Sequence, residues 1–152
     1  MQALGNVLCE HPFLAGLSEL HAQTIVGCVS NIHFAAGEVI FQEGEEANHF
    51  YLLREGKVAL QLFSERRGPL TILTLSDGEI LGWSWLFPPY RWKFSAQAMV
   101  GTRAFAVDGR CLREKAERDH SLGYELLSRF AHVAETRLEA TRLQLVNVYE
   151  DQ

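Results

Sequence analysis

Apolar residues open the chain at helical spacing and then change period. Leu14, Leu17 and Leu20, followed by Thr24, recur at intervals of three or four, which predicts a helix within His11–Ser30. Pro12 falls where a helix can begin, and Ser18 can cap a turn ahead of Glu19 and Leu20. From Asn31 the alternation becomes two-fold. Ile32 and Phe34, Val39 and Phe41, Phe50–Leu53, Val58–Leu62, Leu70–Leu75, Phe94–Val100 and Thr102–Val107 are short apolar runs. Their corners read Gly37-Glu38, Gly44-Glu45, Gly56-Lys57 and Gly78-Glu79, with a charged tip over Ser64–Pro69. Strands this short, turning this often, predict a sandwich, jelly roll or barrel. Glycine serves such corners because it accepts positive φ without steric cost.

Asp108 opens a second helical region. A short helix is expected over Gly109–Glu117, a break near Asp119-His120-Ser121, and a long helix over Leu122–Val148. The long helix carries a seam of Leu127, Ala131, Ala134, Leu138, Thr141, Leu145 and Val148, spaced alternately by four and three as in a heptad stripe. A second stripe, Leu126, Phe130 and Val133, fades after Val133. The first half of the helix is therefore expected to pack on the β core as well. The second half has one narrow seam, which a two-fold copy of the same helix would cover; a seam packed wholly within its own chain is the alternative. The expected fold is mainly β with flanking helices: an N-terminal helical segment (1–30), a jelly-roll core (31–108) and C-terminal helices (109–152), one domain overall.

Composition narrows the function classes. The 152 residues are 47% apolar and 22% charged, with a net charge of −5, an ordinary globular profile that lacks the basic face a free-standing nucleic-acid binder needs. No apolar stretch approaches a membrane span, and the first residues lack the pattern of a signal peptide, so a cytoplasmic location is expected. Cys9, Cys28 and Cys111 are odd in number and match no zinc spacing; free thiols are expected. The acids lie at turns or on helix faces and no nucleophile–base set stands out, so no enzyme is expected.

The combination of Gly37-Glu38-Val39-Ile40-Phe41, Glu43-Gly44-Glu45, Phe50–Val58 and Leu75–Gly82 with a long seamed helix resembles the cyclic-nucleotide-binding domain family. The likeness is greatest to the effector domains of bacterial Crp/Fnr-type regulators, and it runs from about His11 to Val148. The resemblance implies a β-roll with a dimerisation helix and a ligand-binding regulatory role. Those regulators usually continue into a helix-turn-helix domain. The sequence ends at Gln152, so no direct DNA binding is expected, and output is expected through a homodimer or a protein partner.

In the family, a phosphate-binding cassette reads Phe-Gly-Glu, then a short helix, then an arginine. Backbone N–H groups and a hydroxyl meet the cyclic phosphate, the arginine neutralises it, and the glutamate accepts from the ribose hydroxyl. Here Gly82 matches the glycine and Ser84 the hydroxyl position, but Trp83 stands in place of the acid and Trp92 in place of the arginine, with Arg91 and Lys93 on either side. An indole donates one hydrogen bond and accepts none. Losing the ribose contact costs about 1.5–3 kcal/mol and losing the counter-charge a comparable amount, together two or more orders of magnitude in affinity. Ordinary cAMP binding is not expected. Trp83, Trp85, Phe87, Tyr90, Trp92 and Phe94 either line a pocket for a flatter ligand, with Arg91 or Lys93 fixing an anionic group, or plug the old cavity, or face outward to a partner. Thr141 and Arg142 occupy positions from which the family's long helix reaches the nucleotide base, although Thr141 also lies on the seam. No metal or resident cofactor is expected; a cyclic nucleotide or another small anion is the ligand class the resemblance allows.

Overall fold

The computed structural model describes residues 2–150. Met1, Asp151 and Gln152, to which the expected segments extend, lie outside the described residues. The helix expected over His11–Ser30 is instead two pieces, a 3-10 turn (Pro12–Leu14) and α2 (Glu19–Val26), with a further helix, α1 (Gln2–Cys9), ahead of them and Val29–Ser30 already in the first strand. Two residue types impose the breaks. Pro12 starts a new turn because it has no N–H to continue an old one, and Gly16 at φ 82° reverses the chain. Ser18 then caps α2 as expected, its Oγ accepting from the His21 N–H at 3.2 Å.

Eight strands follow: β1 (Val29–Phe34), β2 (Val39–Phe41), β3 (His49–Glu55), β4 (Val58–Ser64), β5 (Gly68–Leu75), β6 (Ile80–Leu81), β7 (Ser95–Ala98) and β8 (Thr102–Asp108). They form two four-stranded sheets, ordered β1-β8-β3-β6 and β2-β7-β4-β5, with every pairing antiparallel. This is the expected jelly roll. Between the sheets lie Phe34, Phe41, Leu53, Leu60, Leu75, Leu81 and Trp92, all buried in one apolar cluster.

Three of the Gly-Glu corners share one solution. At Ala35–Glu38, Gln42–Glu45 and Ser76–Glu79 the fourth residue's N–H donates to the first residue's carbonyl at 3.0, 3.1 and 3.2 Å. The same glutamate's carboxylate accepts the first residue's N–H, at 3.0, 2.6 and 2.7 Å. Glycine is required at the third position, where φ is 87°, 92° and 81°. The acid closes the turn from its other side. At Gly56-Lys57 no such acid follows, and Asp77 of a neighbouring corner supplies it, accepting from the Gly56 N–H at 2.8 Å.

After the strands come α3 (Gly109–Arg118) and α4 (His120–Glu150). Asp119 breaks between them and caps α4, accepting from the Ser121 N–H at 3.1 Å. The chain forms two compact units that divide between Lys115 and Ala116. In the second, Leu122, Leu126 and Phe130 are buried. The predicted seam is not: Leu127, Leu138, Leu145 and Val148 are 50–56% exposed, Ala131 and Thr141 are exposed, and Ala134 is half-buried. Leu143, Val146 and Tyr149 are exposed beside it, so the apolar surface is wider than the heptad stripe alone.

Cys28 and Cys111 are joined in a disulfide, against the expectation of free thiols. The pattern rule fails because it reads spacing along the chain, and these residues lie 83 apart. Antiparallel pairing of β1 with β8 brings them together, since Val29 faces Val107. Cys9 is a free thiol.

Candidate functional site

The cassette begins where β6 pairs with β3, Leu81 opposite Tyr51. The chain leaves the sheet at Gly82, whose φ is 98°, passes Trp83 and enters a 3-10 turn over Ser84–Leu86. It returns past Tyr90 alongside the Gly44–Glu45 corner. The Ala47 N–H donates to the Tyr90 carbonyl at 2.7 Å, the Gly44 N–H to the Trp92 carbonyl at 2.8 Å, and the Trp92 N–H to the Glu45 carbonyl at 3.0 Å. These bonds give the returning segment the alternation of a strand. Trp92 points inward, while Arg91 and Lys93 are exposed.

Trp92 therefore fills the interior beside Gly82. It is 4% exposed and stacks on Phe41 with ring centroids 3.7 Å apart and planes 6° apart. Phe94 lies against both, at 5.7 Å from Phe41 and 6.3 Å from Trp92. A Cβ on Gly82 would fall 2.5 Å from Cη2 and 2.6 Å from Cζ3 of Trp92, so indole and backbone are in direct contact. Neither neighbouring cation is buried with Trp92: the Arg91 guanidinium donates to the Gly44 carbonyl at 2.9 Å, and Lys93 is exposed.

The remaining candidates separate. Trp83 is half-buried ahead of the 3-10 turn, and Ser84 begins it, 7% exposed. Trp85 is a core residue rather than a pocket wall. It is fully buried and stacks on Phe50 at 4.9 Å, its Cβ close to Gly109. Its carbonyl accepts from Arg113, and the Arg113 guanidinium lies 4.0 Å over the Tyr90 ring. Thr141 donates to the Arg137 carbonyl at 2.8 Å and Arg142 pairs with Glu139 at 3.6 Å, contacts that lie within α4. Phe41 was not singled out from sequence as a site residue. Strand alternation would put it on the same face as Val39; the register shift between Val39 and Phe41 turns Phe41 in while Val39 is exposed, and no pattern in the sequence marks that shift.

On the open side of Trp92 lies a groove of about 530 Å³, bounded by Phe41, Trp92, Tyr51, His49, Glu45 and Glu46. Burial pushes the Tyr51 hydroxyl above the usual tyrosine range, so it stays a neutral donor. His49 lies nearly parallel to Tyr51 at 6.4 Å. The Glu45 carboxylate is committed to its turn, and Glu46 pairs with Arg110 at 3.6 Å. Among the described residues no group of three or more His, Cys, Asp or Glu is placed to hold a metal ion, and no helix is long and apolar enough to cross a membrane.

A family profile described as cyclic nucleotide-binding domain matches residues 31–119. The fold resembles that of a candidate cyclic nucleotide-binding protein from Geobacter metallireducens, 31% identical with a TM-score of 0.80 over 88% of this chain and 97% of that one. The Thermus thermophilus catabolite activator protein is similar in fold at 22% identity and a TM-score of 0.70, covering 91% of this chain and 63% of that one. Human cGMP-dependent protein kinase 2 is 33% identical over 78 residues, and the fission yeast (Schizosaccharomyces pombe) cAMP-dependent protein kinase regulatory subunit 26% over 77. Each match spans 51% of this chain but only 10% and 18% of those curated relatives, respectively.

Proposed function

The chain belongs to the cyclic nucleotide-binding domain family, and from that premise we propose that it is a regulatory module whose cassette is occupied by its own aromatic side chains. It does not grip cAMP or cGMP in the family's usual manner. The observation that carries this reading is the Trp92 indole seated on Gly82 and stacked on Phe41, with Arg91 and Lys93 on the solvent side. A cyclic phosphate placed there would have to displace a buried ring, and would meet no counter-charge. Calorimetric titration with cAMP and cGMP, with tryptophan fluorescence in parallel, tests it. No saturable binding tighter than about 100 µM is expected; saturation at micromolar nucleotide with a fluorescence change overturns it.

Output runs through α4. Its second half exposes Leu138, Leu145 and Val148 on a heptad seam, which a second copy of the helix covers in a homodimer. Sedimentation should give a dimer, and the pair Leu138→Lys and Leu145→Lys should give monomers with the first unit still folded. A binding role is supported by Glu38, Glu45 and Glu79, each of which accepts a backbone N–H within its own turn.

A second reading is a sensor for a different small molecule, favoured by the groove beside Trp92. Its walls are aromatic and its charged members acidic, so it suits a flat neutral or cationic ligand and not the anion expected from sequence. A thermal-shift panel divided by ligand charge separates the two readings.

A further inference from the structure

We propose that Cys28 and Cys111 form a reversible thiol–disulfide site, opened by a dithiol reductant, that fastens the first turn of α3 to the β-roll. The inference stands apart from the question of nucleotide binding. Cys28 immediately precedes β1 and Cys111 is the third residue of α3, so the bond joins the two ends of the roll.

The strands do not need the bond. The Asp108 N–H donates to the Cys28 carbonyl at 2.8 Å, the Gly109 N–H to the Asn48 carbonyl at 2.7 Å, and β1 pairs with β8 along its whole length. Opening the bond leaves these contacts in place. What it loosens is the first turn of α3, whose other ties are the buried Leu112, the Arg113 contacts with the Trp85 carbonyl and the Tyr90 ring, and side-chain bonds such as Lys115 Nζ to the Thr24 carbonyl at 2.9 Å and Arg110 Nε to Asn48 at 3.1 Å. α3 runs directly into Asp119 and α4 in the chain.

The bond can be reached. Both cysteines line a cavity of about 210 Å³ together with Gly27, Ser30, His49 and Asp108, and Cys111 is partly exposed while Cys28 is 7% exposed. Cys111 lies in the first turn of a helix, where backbone N–H groups favour a thiolate. Lys115 sits one turn further along the same helix face, and the Asp108 carboxylate, which accepts from the Cys111 N–H at 3.1 Å, opposes it.

In the forward step a thiolate of the dithiol attacks Cys111 Sγ. The S–S bond breaks and Cys28 leaves as a thiolate that takes a proton from solvent. The second thiol of the reductant, deprotonated, attacks the mixed disulfide at the reductant's own sulfur, and Cys111 leaves as a thiolate, protonated in turn. Two electrons and two protons pass to the cysteine pair, and the reductant becomes a cyclic disulfide.

The test uses the full chain equilibrated in buffers of reduced and oxidised dithiothreitol, quenched with N-ethylmaleimide and weighed intact. Cys28 and Cys111 should become alkylated together in one reversible two-electron transition, with Cys9 alkylated throughout. The reduced protein should keep a cooperative melt, lowered by on the order of 10 °C through the lost constraint on the unfolded chain. Trypsin cleavage after Arg110 and Arg113 should quicken by about tenfold or more. The double variant Cys28→Ser with Cys111→Ser should match the reduced protein in every buffer, and Cys9→Ser should match the unsubstituted chain. Three results overturn the proposal: thiols alkylated even in the most oxidising buffer, loss of the cooperative melt on reduction, or unchanged cleavage in α3. The first two are read on the unsubstituted chain, so they hold even where the double variant does not fold.

Discussion

Gly44 and Gly82 have nearly the same backbone conformation, φ 92° and 98°, and for different reasons. A Cβ on Gly44 would meet nothing within 4 Å, whereas one on Gly82 would strike the Trp92 ring at 2.5 Å. At the first corner glycine is needed only for its φ, and the following Glu45 closes the turn. At the second it is needed for φ and for space, and the following residue is Trp83, whose carbonyl accepts from the Leu86 N–H at 3.0 Å and so opens the 3-10 turn. Gly82 is thus held by the indole that its backbone approaches as well as by its φ, which is what the function proposed above requires.

The largest effect should come from removing that indole. Trp92→Ala deletes a buried ring and its stack on Phe41, a loss of about 3–5 kcal/mol in denaturant unfolding. Gly82→Ala should cost somewhat less: about 1–2 kcal/mol for the left-handed backbone and about 1–3 more for overpacking against the ring. The two must couple. With Trp92 already truncated, Gly82→Ala should cost only its backbone share, so a double-mutant cycle should return a coupling of about 1–3 kcal/mol. Additive penalties would show that the ring does not press on the glycine.

Gly44→Ala supplies the contrast. Its penalty should be the backbone share alone, about 1–2 kcal/mol, and unchanged by Trp92→Ala. Smaller again is Glu45→Ala, which removes the acceptor of the 2.6 Å bond from the Gln42 N–H. That bond is exposed, and about 1 kcal/mol is expected. Melts of the four single variants, ranked in this order, check the comparison directly.

Three of the four corners were legible in sequence because their determinants lie within four consecutive residues, Gln42 to Glu45 being the pattern, whereas Gly56-Lys57 takes its acid from Asp77. The outward course of Arg91 and Lys93 follows from strand alternation once Trp92 is turned in, but the sequence left open which way Trp92 turned. That depends on Phe41, 51 positions earlier, and on the hydrogen bonds to Gly44 and Glu45 that set the register. Trp85 shows the same limit. Its neighbours Phe50 and Gly109 come from distant strands and helices, so an aromatic cluster in sequence divides in space between a core and a cradle. The Cys28–Cys111 bond was hidden for the same reason, and β6 because two residues carry no period.

The smallest effect concerns the third Gly-Glu corner, which differs from the other two in having another segment packed where the glycine's Cβ would be. Pro12 lies 3.2 Å from where a Gly78 Cβ would be, and the Gly78 N–H donates at 3.0 Å to the Leu53 carbonyl that His11 Nε2 also meets at 2.9 Å. His11 is 5% exposed, and its Nδ1 accepts from the Phe13 N–H at 3.1 Å, which requires the neutral ring. Burial lowers its pKa below the ordinary 6.5, against a partial rise from the Leu53 and Glu79 backbone. With the folded pKa depressed, the unfolded chain binds a proton first as pH falls through 6.5, so the stability is complete above that value and declines toward the folded pKa. The melting temperature should therefore drop between pH 7.5 and 5.5, and His11→Gln should flatten that slope. A slope unaltered by the substitution would assign the pH dependence to other groups and leave the third corner no different from the first two.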